Sequence, residues 1–171
     1  MNTRKMTRTA MIAGLYAAIT FATFFMSFGA IQYRVSEMLT VLPAFTSAAI
    51  PGLSLGCALA NLVGFFIGVN PVGWIDAIFG TFATFLAAVC SYFIGKSSRK
   101  WIRYVFVPLP PVLFNALIVG AEITWMMGPF DWNIFLVNMF TVGLGQAVVC
   151  YILGIPLMLA LERKDLAKRL F

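Results

Sequence analysis

The sequence predicts an all-α, polytopic membrane protein with six transmembrane helices, the second one short, and with both termini in the cytoplasm. Three observations predict it. Of the 171 residues, 61% are hydrophobic and only 11% charged, with a mean hydropathy of +0.94, whereas soluble domains run at about 45–50% apolar and about 25% charged. The apolar residues fall in runs long enough to cross a hydrocarbon core, which takes about 20 helical residues. The basic residues fall largely in three clusters between and beyond those runs. A chain this apolar could not cover its own exterior in water. A soluble enzyme, a nucleic-acid module and a secreted disulfide scaffold are therefore excluded, and the lipid bilayer is the first partner.

The first span, 9–29, follows Arg4, Lys5 and Arg8. Its apolar run exceeds that of a signal peptide and further spans follow, so it reads as an uncleaved helix. The polar segment from Gln32 to Glu37 ends it. From Met38 to Val69 the chain is apolar throughout, too long for one crossing, and interrupted by Pro43 and by Pro51-Gly52. Proline costs about 3 kcal/mol inside a helix but suits a helix start, so this run divides into a short helix, 36–49, and a fuller one, 51–68. Asn70-Pro71-Val72-Gly73 is a turn, and the later spans are 74–95, 104–127 and 133–161. With six crossings, the N-terminus, the loop carrying Lys96, Arg99, Lys100 and Arg103, and the tail carrying Arg163, Lys164, Lys168 and Arg169 all face the cytoplasm. With five, the Lys96–Arg103 loop would lie outside, against the positive-inside rule. No linker, long repeat or low-complexity segment interrupts the chain, and 1–171 reads as a single helical membrane domain.

Catalytic and metal chemistry find little support. There is no histidine, the usual general base and metal ligand near neutral pH. Cys57, Cys90 and Cys150 lie inside apolar runs without metal or redox spacing, and they read as small core residues. Gly95-Lys96-Ser97-Ser98 mimics the end of a phosphate-binding loop, but Cys90 stands where its first glycine belongs and a membrane helix precedes it instead of a strand. Gly143-Leu144-Gly145-Gln146 has glutamine where an intramembrane aspartyl protease needs aspartate. No metal, no cofactor and no enzymatic activity are expected.

Polar side chains inside a bilayer are costly, which makes them functional candidates by default. Under the six-helix topology they gather toward the outer side: Arg34 and Glu37 around the start of the second helix, Asn61 in the third and Asp76 at the start of the fourth. Asn115 and Glu122 belong to the fifth, and Asn138 and Gln146 to the sixth. The inner half is nearly devoid of polar side chains, which fits a pocket closed below and not a water-filled channel. Asn115 and Glu122, seven apart, share a helix face, and Trp125 continues it, with Trp74 and Trp132 near the same surface. Acids with aromatics suit a flat heterocycle bearing N–H donors, since a carboxylate accepts two adjacent hydrogen bonds and the ring stacks. Bland readings stand beside these: the tryptophans as an interfacial belt, Asp131 as a solvated loop charge, and Arg34 and Glu37 as a mutual ion pair. On the first helix Ala10, Gly14 and Ala18 recur every four residues, with Ala13 and Ala17 beside them. Such a face admits another membrane helix closely, either a partner subunit or a neighbour in the same bundle.

Several stretches carry a family resemblance. The run Phe28-Gly29-Ala30-Ile31-Gln32-Tyr33-Arg34-Val35-Ser36-Glu37, continued by Met38-Leu39-Thr40, resembles the QueT family of queuosine-precursor transporters. So do Pro51-Gly52-Leu53-Ser54-Leu55-Gly56-Cys57, Asp76-Ala77-Ile78-Phe79-Gly80-Thr81, Asn115-Ala116-Leu117-Ile118-Val119-Gly120 and Val149-Cys150-Tyr151-Ile152-Leu153-Gly154. The resemblance implies a substrate-binding S component of an energy-coupling factor (ECF) importer in the bacterial cell membrane. Such a subunit captures its substrate outside, docks through small residues of its first helix on a transmembrane T component with two cytosolic ATPases, and topples to deliver it. The implied substrates are 7-deazaguanines (preQ1, preQ0) or queuine. Glu122 is then expected to accept two donors from the guanine-like edge, and Asp76 or Glu37 to face the charged amine of preQ1 or queuine. Asn115, Asn61, Asn138 and Gln146 would supply ring contacts, and Arg34 would order a lid. The competing expectations are an S component for another vitamin, such as riboflavin or a thiamine precursor, and a membrane assembly subunit that transports nothing.

Overall fold

The computed structural model describes residues 3–27, 33–70, 74–163 and 166. The 28–32 part of the family-like run, the 71–73 part of the expected turn, and Lys164, Lys168 and Arg169 of the basic tail lie outside the described residues. Within them the chain forms α1 (Thr3–Ala22), a short helical turn (Phe24–Ser27), α2 (Val35–Ala44), α3 (Ala49–Phe66), α4 (Trp74–Gly95), α5 (Lys100–Met126) and α6 (Trp132–Arg163), with no strand among the described residues. The last four are each long and apolar enough to cross a membrane. α1 has 20 residues but carries Arg4, Lys5 and Arg8 in its first turns. The chain is thus an all-α, polytopic membrane protein.

Element limits follow local chemistry. α1 starts at Thr3 and not at Thr9, because lysine and arginine are good helix formers and the helix runs on through the basic segment. α2, expected as an α-helix over 36–49, is a 3₁₀ helix of 10 residues with Pro43 inside it. At about 2.0 Å rise per residue it covers roughly 20 Å, farther than an α-helix of the same length and still short of the hydrocarbon thickness. α3 begins at Ala49, so that Pro51 falls in the first turn, where a missing N–H breaks no intrahelical bond. Gly68 ends it in the left-handed region at φ 75°, a conformation that favours glycine. α5 and α6 each contain a π-helical stretch, Asn115–Val119 and Val148–Leu153.

The bundle closes through small residues. A Cβ added at Gly52 would lie 2.9 Å from Ile12 Cβ, and one at Gly56 would lie 2.7 Å from Tyr16 Cβ and 2.9 Å from the Ala13 carbonyl oxygen. These glycines, one turn apart on α3, let α1 lie almost against its backbone, since close packing replaces the hydrophobic effect between helices in lipid. Gly56→Ala is therefore expected to destabilise the protein by about 1–3 kcal/mol through overpacking, read as a lower melting temperature in detergent. Ile12, Leu42, Leu53 and Leu161 form an apolar core toward the basic loop, extended by Val41, Val107 and Met158. At that end Arg103 pairs with Glu162 at 2.8 Å, and the Tyr104 hydroxyl donates to the same carboxylate at 2.5 Å, tying α5 to α6.

Candidate functional site

Polar side chains converge at the other end of the bundle. One face of α1, Thr9, Ile12, Ala13, Tyr16 and Thr20, points inward. Tyr16 is fully buried, and its hydroxyl donates to Glu37 Oε1 on α2. Arg34, in extended backbone just before α2, reaches α4, where its Nη2 meets Asp76 Oδ2 at 3.0 Å with both side chains almost wholly buried. Arg34 Nη1 also lies 3.7 Å from Cys57 Sγ. The same Asp76 oxygen accepts from Asn70 Nδ2 at 3.1 Å, in the segment that Gly68 turns back over α3. Asn61 Nδ2 donates to the Asp76 backbone carbonyl at 2.9 Å. Residues from α1, α2, α3, α4 and two connections thus form two buried sets, Tyr16–Glu37 and Arg34–Asp76 with Cys57, Asn61 and Asn70, within electrostatic reach of each other.

A further set borders them from α5 and α6. Glu122 is only 4% exposed and lies within electrostatic reach of Asp76 and Arg34. Thr124, next but one along α5, accepts from Asn138 Nδ2 at 3.0 Å and so links the two helices. Glu122 also lines a cavity of about 490 Å³ between α4 and α5, together with Ile75, Phe79, Leu117 and Trp125.

The unsatisfied atoms define the site's chemistry. Among the described residues, both carboxylate oxygens of Glu122, Oε2 of Glu37, Oδ1 of Asp76 and Oδ1 of Asn61 are buried without a hydrogen-bond partner. Thr84 neighbours Glu37, but its hydroxyl donates to the Gly80 carbonyl at 2.9 Å. Buried polar atoms are rarely left unpaired, because each costs about 1–3 kcal/mol. All five are acceptors, so the arrangement suits a molecule rich in N–H donors.

Of the residues singled out in the sequence, Arg34, Glu37, Asn61, Asp76 and Glu122 are brought together. The alternative reading of Arg34 and Glu37 as a mutual ion pair is not what the geometry shows: the arginine meets Asp76, and the glutamate accepts from Tyr16. Asn115 is buried, and its amide donates to the Pro111 carbonyl at 2.9 Å within α5. Gln146 is buried and accepts from Cys150, while Asn138 is half-buried. Trp125 is 69% exposed yet borders the Glu122 cavity, whereas Trp74 and Trp132 lie mostly exposed on the surface. Asp131 caps α6, accepting from the backbone N–H of Asn133 and Ile134. Ala10, Gly14 and Ala18 face outward, Ala13 is buried against α3, and Ala17 is half-buried. The small-residue face expected on the first helix is thus narrower than the sequence suggests.

Sequence reasoning missed Tyr16, Cys57 and Asn70. Tyr16 had a legible signal: a phenol in mid-span, on the same helical stripe as Thr9, Ile12 and Thr20, needs a buried partner for its hydroxyl. Tyr16→Phe, which leaves Glu37 Oε1 without its donor, is expected to lower stability by about 1–3 kcal/mol, measurable by thermal melting in detergent.

The fold and the enclosed polar cluster define a multi-pass, all-helical membrane protein. The model of the QueT transporter family matches residues 6–163, and the chain belongs to that family, as its sequence motifs suggest. A protein of Lactococcus lactis subsp. cremoris (strain MG1363), named as the queuosine precursor transporter QueT, is 34% identical over 77 residues. That alignment covers 44% of this chain and 41% of the relative, so the chain aligns with less than half of that protein's length. No solved structure matches the chain.

Proposed function

We propose that this chain is the substrate-binding S component of an ECF-type importer in the bacterial plasma membrane. It captures a queuosine precursor, a 7-deazaguanine such as preQ1 or preQ0, or queuine, from outside. A transmembrane T component and two cytosolic ATPases then drive uptake. The observation that carries this reading is the set of buried acceptors on Glu37, Asn61, Asp76 and Glu122 that have no partner among the described residues. A guanine-like edge presents a ring N–H beside an exocyclic amine, and the two oxygens of Glu122 accept both. In this reading ring contacts come from Asn61, with Asn115, Asn138 and Gln146 as further candidates, and Arg34 holds the entrance to α2 in place. The apolar core of Val41, Val107 and Met158 closes the cup toward the basic loop, so the subunit alone offers its ligand no passage. In this reading the chain crosses the membrane six times, α2 being the short crossing, with the Lys96–Arg103 loop in the cytoplasm.

The need for a partner is supported by the outer face of α1. Gly14 and Ala18 border an apolar groove of about 580 Å³ with Met11, Leu15, Leu39 and Leu157, and nothing lies within 4 Å of a Cβ built at Gly14. Gly14→Leu is therefore expected to leave the melting temperature of the isolated chain unchanged while abolishing its co-purification with the T component. Uptake tests the whole proposal. In bacteria unable to make or import queuosine precursors, the chain co-expressed with T component and ATPases restores queuosine in tRNA from supplied precursor, and the chain alone does not. Restoration by the chain alone, or failure of the full set, would refute it.

A further inference from the structure

We infer that the ends of α5 and α6 away from the basic loop swing together as one hairpin, bending at their two π stretches, and that this movement opens the way to Glu122 between α4 and α5. This rests on the site proposed above for the identity of the ligand alone. Packing divides the bundle at that end. Residues 132–147 of α6 lie against α5 and make almost no close approach to α1–α4, and residues 120–126 of α5 only graze α4. The two segments are tied to each other instead. Asn138 Nδ2 donates to Thr124 Oγ1 at 3.0 Å, and a Cβ added at Gly120 would lie 3.0 Å from Met139 Cα. Their connection also packs on itself, the Phe130 ring centroid lying 5.3 Å from that of Trp132 and 5.6 Å from that of Phe135. On the other side of the division, Asp76 of α4 bonds to Arg34, Asn61 and Asn70, and no hydrogen bond or ion pair among the described residues crosses from α4 to 120–126.

The remaining parts of α5 and α6 are anchored. Ser91 of α4 donates to the Val107 carbonyl at 2.8 Å, Arg103 pairs with Glu162, and a Cβ added at Gly154 of α6 would lie 3.0 Å from Val41 of α2. Between the anchored part and the hairpin, each helix carries its π stretch, Asn115–Val119 and Val148–Leu153. Helices bend sharply at such places, which are frequent at functional sites. Each stretch has a chemical cause. Pro156 has no N–H for the carbonyl of Ile152, four residues back. The Asn115 side chain donates to the Pro111 carbonyl at 2.9 Å, in competition with the backbone. The cavity of about 490 Å³ lies along the division, with Ile75 and Phe79 on the α4 wall, Leu117, Ala121 and Trp125 on the α5 wall, and Glu122 beside them with both oxygens buried. Those walls are apolar, so parting them into lipid strands no polar group.

Distances between spin labels in the ligand-free protein, held in lipid nanodiscs, test the movement without any substrate. Cys90, half-buried, is changed to alanine, while Cys57 and Cys150 are buried and do not take the label. Labels at Ile78→Cys on α4 and Leu136→Cys on α6, both exposed positions, are expected to give two populations. The second is longer by at least about 3.5 Å, the thickness of one flat ring in van der Waals contact. Labels at Ile78→Cys and Leu15→Cys, both outside the hairpin, are expected to give one. A single distance for the first pair, or the same spread in both pairs, would overturn the hinge and leave the proposed function standing. The route is tested by joining Phe79→Cys to Ala121→Cys across the cavity with a short bis-methanethiosulfonate. The bridge is expected to slow association of preQ1 at least about tenfold, and dithiothreitol, which releases it, to restore the rate. An unchanged rate in the bridged protein would overturn the route. Failure of preQ1 to bind the unbridged protein would overturn the proposed function, while the ligand-free distances would still decide the hinge.

Discussion

Replacing Arg34 with methionine is expected to destabilise the protein by about 3–5 kcal/mol, the range found when one partner of a buried ion pair is removed. For a chain of this length that is a fall of roughly 10 °C in melting temperature. The loss comes from what remains. Asp76 keeps its bond from Asn70 but has no cation, at a position with no exposed surface. The change also uncouples the segment before α2 from α4, since the pair joins residues 42 apart in sequence. The effect is therefore expected to be contingent on the carboxylate. Arg34→Met combined with Asp76→Asn should recover more than half of the lost stability, because the double variant leaves no charge stranded. If the double variant melted lower than Arg34→Met alone, the two residues would not be coupled as their geometry indicates.

Glu122→Ala is expected to separate stability from function. Its carboxylate is buried with neither oxygen paired among the described residues, so the empty protein gains nothing from it. Hydrogen bonds to a charged group are worth about 1.5–3 kcal/mol each, and loss of two would weaken binding of a 7-deazaguanine at least about 100-fold. Glu122→Met, which keeps side-chain volume while removing the polar atoms, is expected to raise the melting temperature of the unliganded protein and to abolish the further rise on adding ligand. A residue serving only structure would behave in the opposite way: the unliganded protein would melt lower and affinity would hold. Thermal melting with and without preQ1, alongside titration calorimetry, distinguishes the two.

These two residues also illustrate what the sequence makes legible. Glu122 stands out in one dimension because a carboxylate in an apolar helix has few bland explanations, and the structure does bury it, with neither oxygen partnered among the described residues. The partner of Arg34 was not legible. Glu37, three residues away, is the local guess, but Asp76 wins because α2 and α4 pack side by side and bring distant residues together. The helices themselves were readable from runs of apolar residues, with Pro51 and the basic loop marking limits. The 3₁₀ winding of α2 and the π stretches of α5 and α6 were not, because hydrophobic periodicity reports which face is apolar and not how the backbone hydrogen bonds are registered. On α1, alanine and glycine look alike on every face. Only the close approach of Gly52 and Gly56 on α3 distinguishes inward Ala13 from outward Ala10, Gly14 and Ala18.

The central claim is that acceptors from separate helices wait, buried, for the donors of one flat base. It is tested most directly by identifying the small molecule that leaves with the protein. The chain, expressed in cells supplied with queuosine precursors, purified and denatured, is expected to release a 7-deazaguanine in near-stoichiometric amount by mass spectrometry, and the Glu122→Ala protein to release almost none. Release of a chemically different molecule from the wild type, or equal release of the same base from both proteins, would contradict the account.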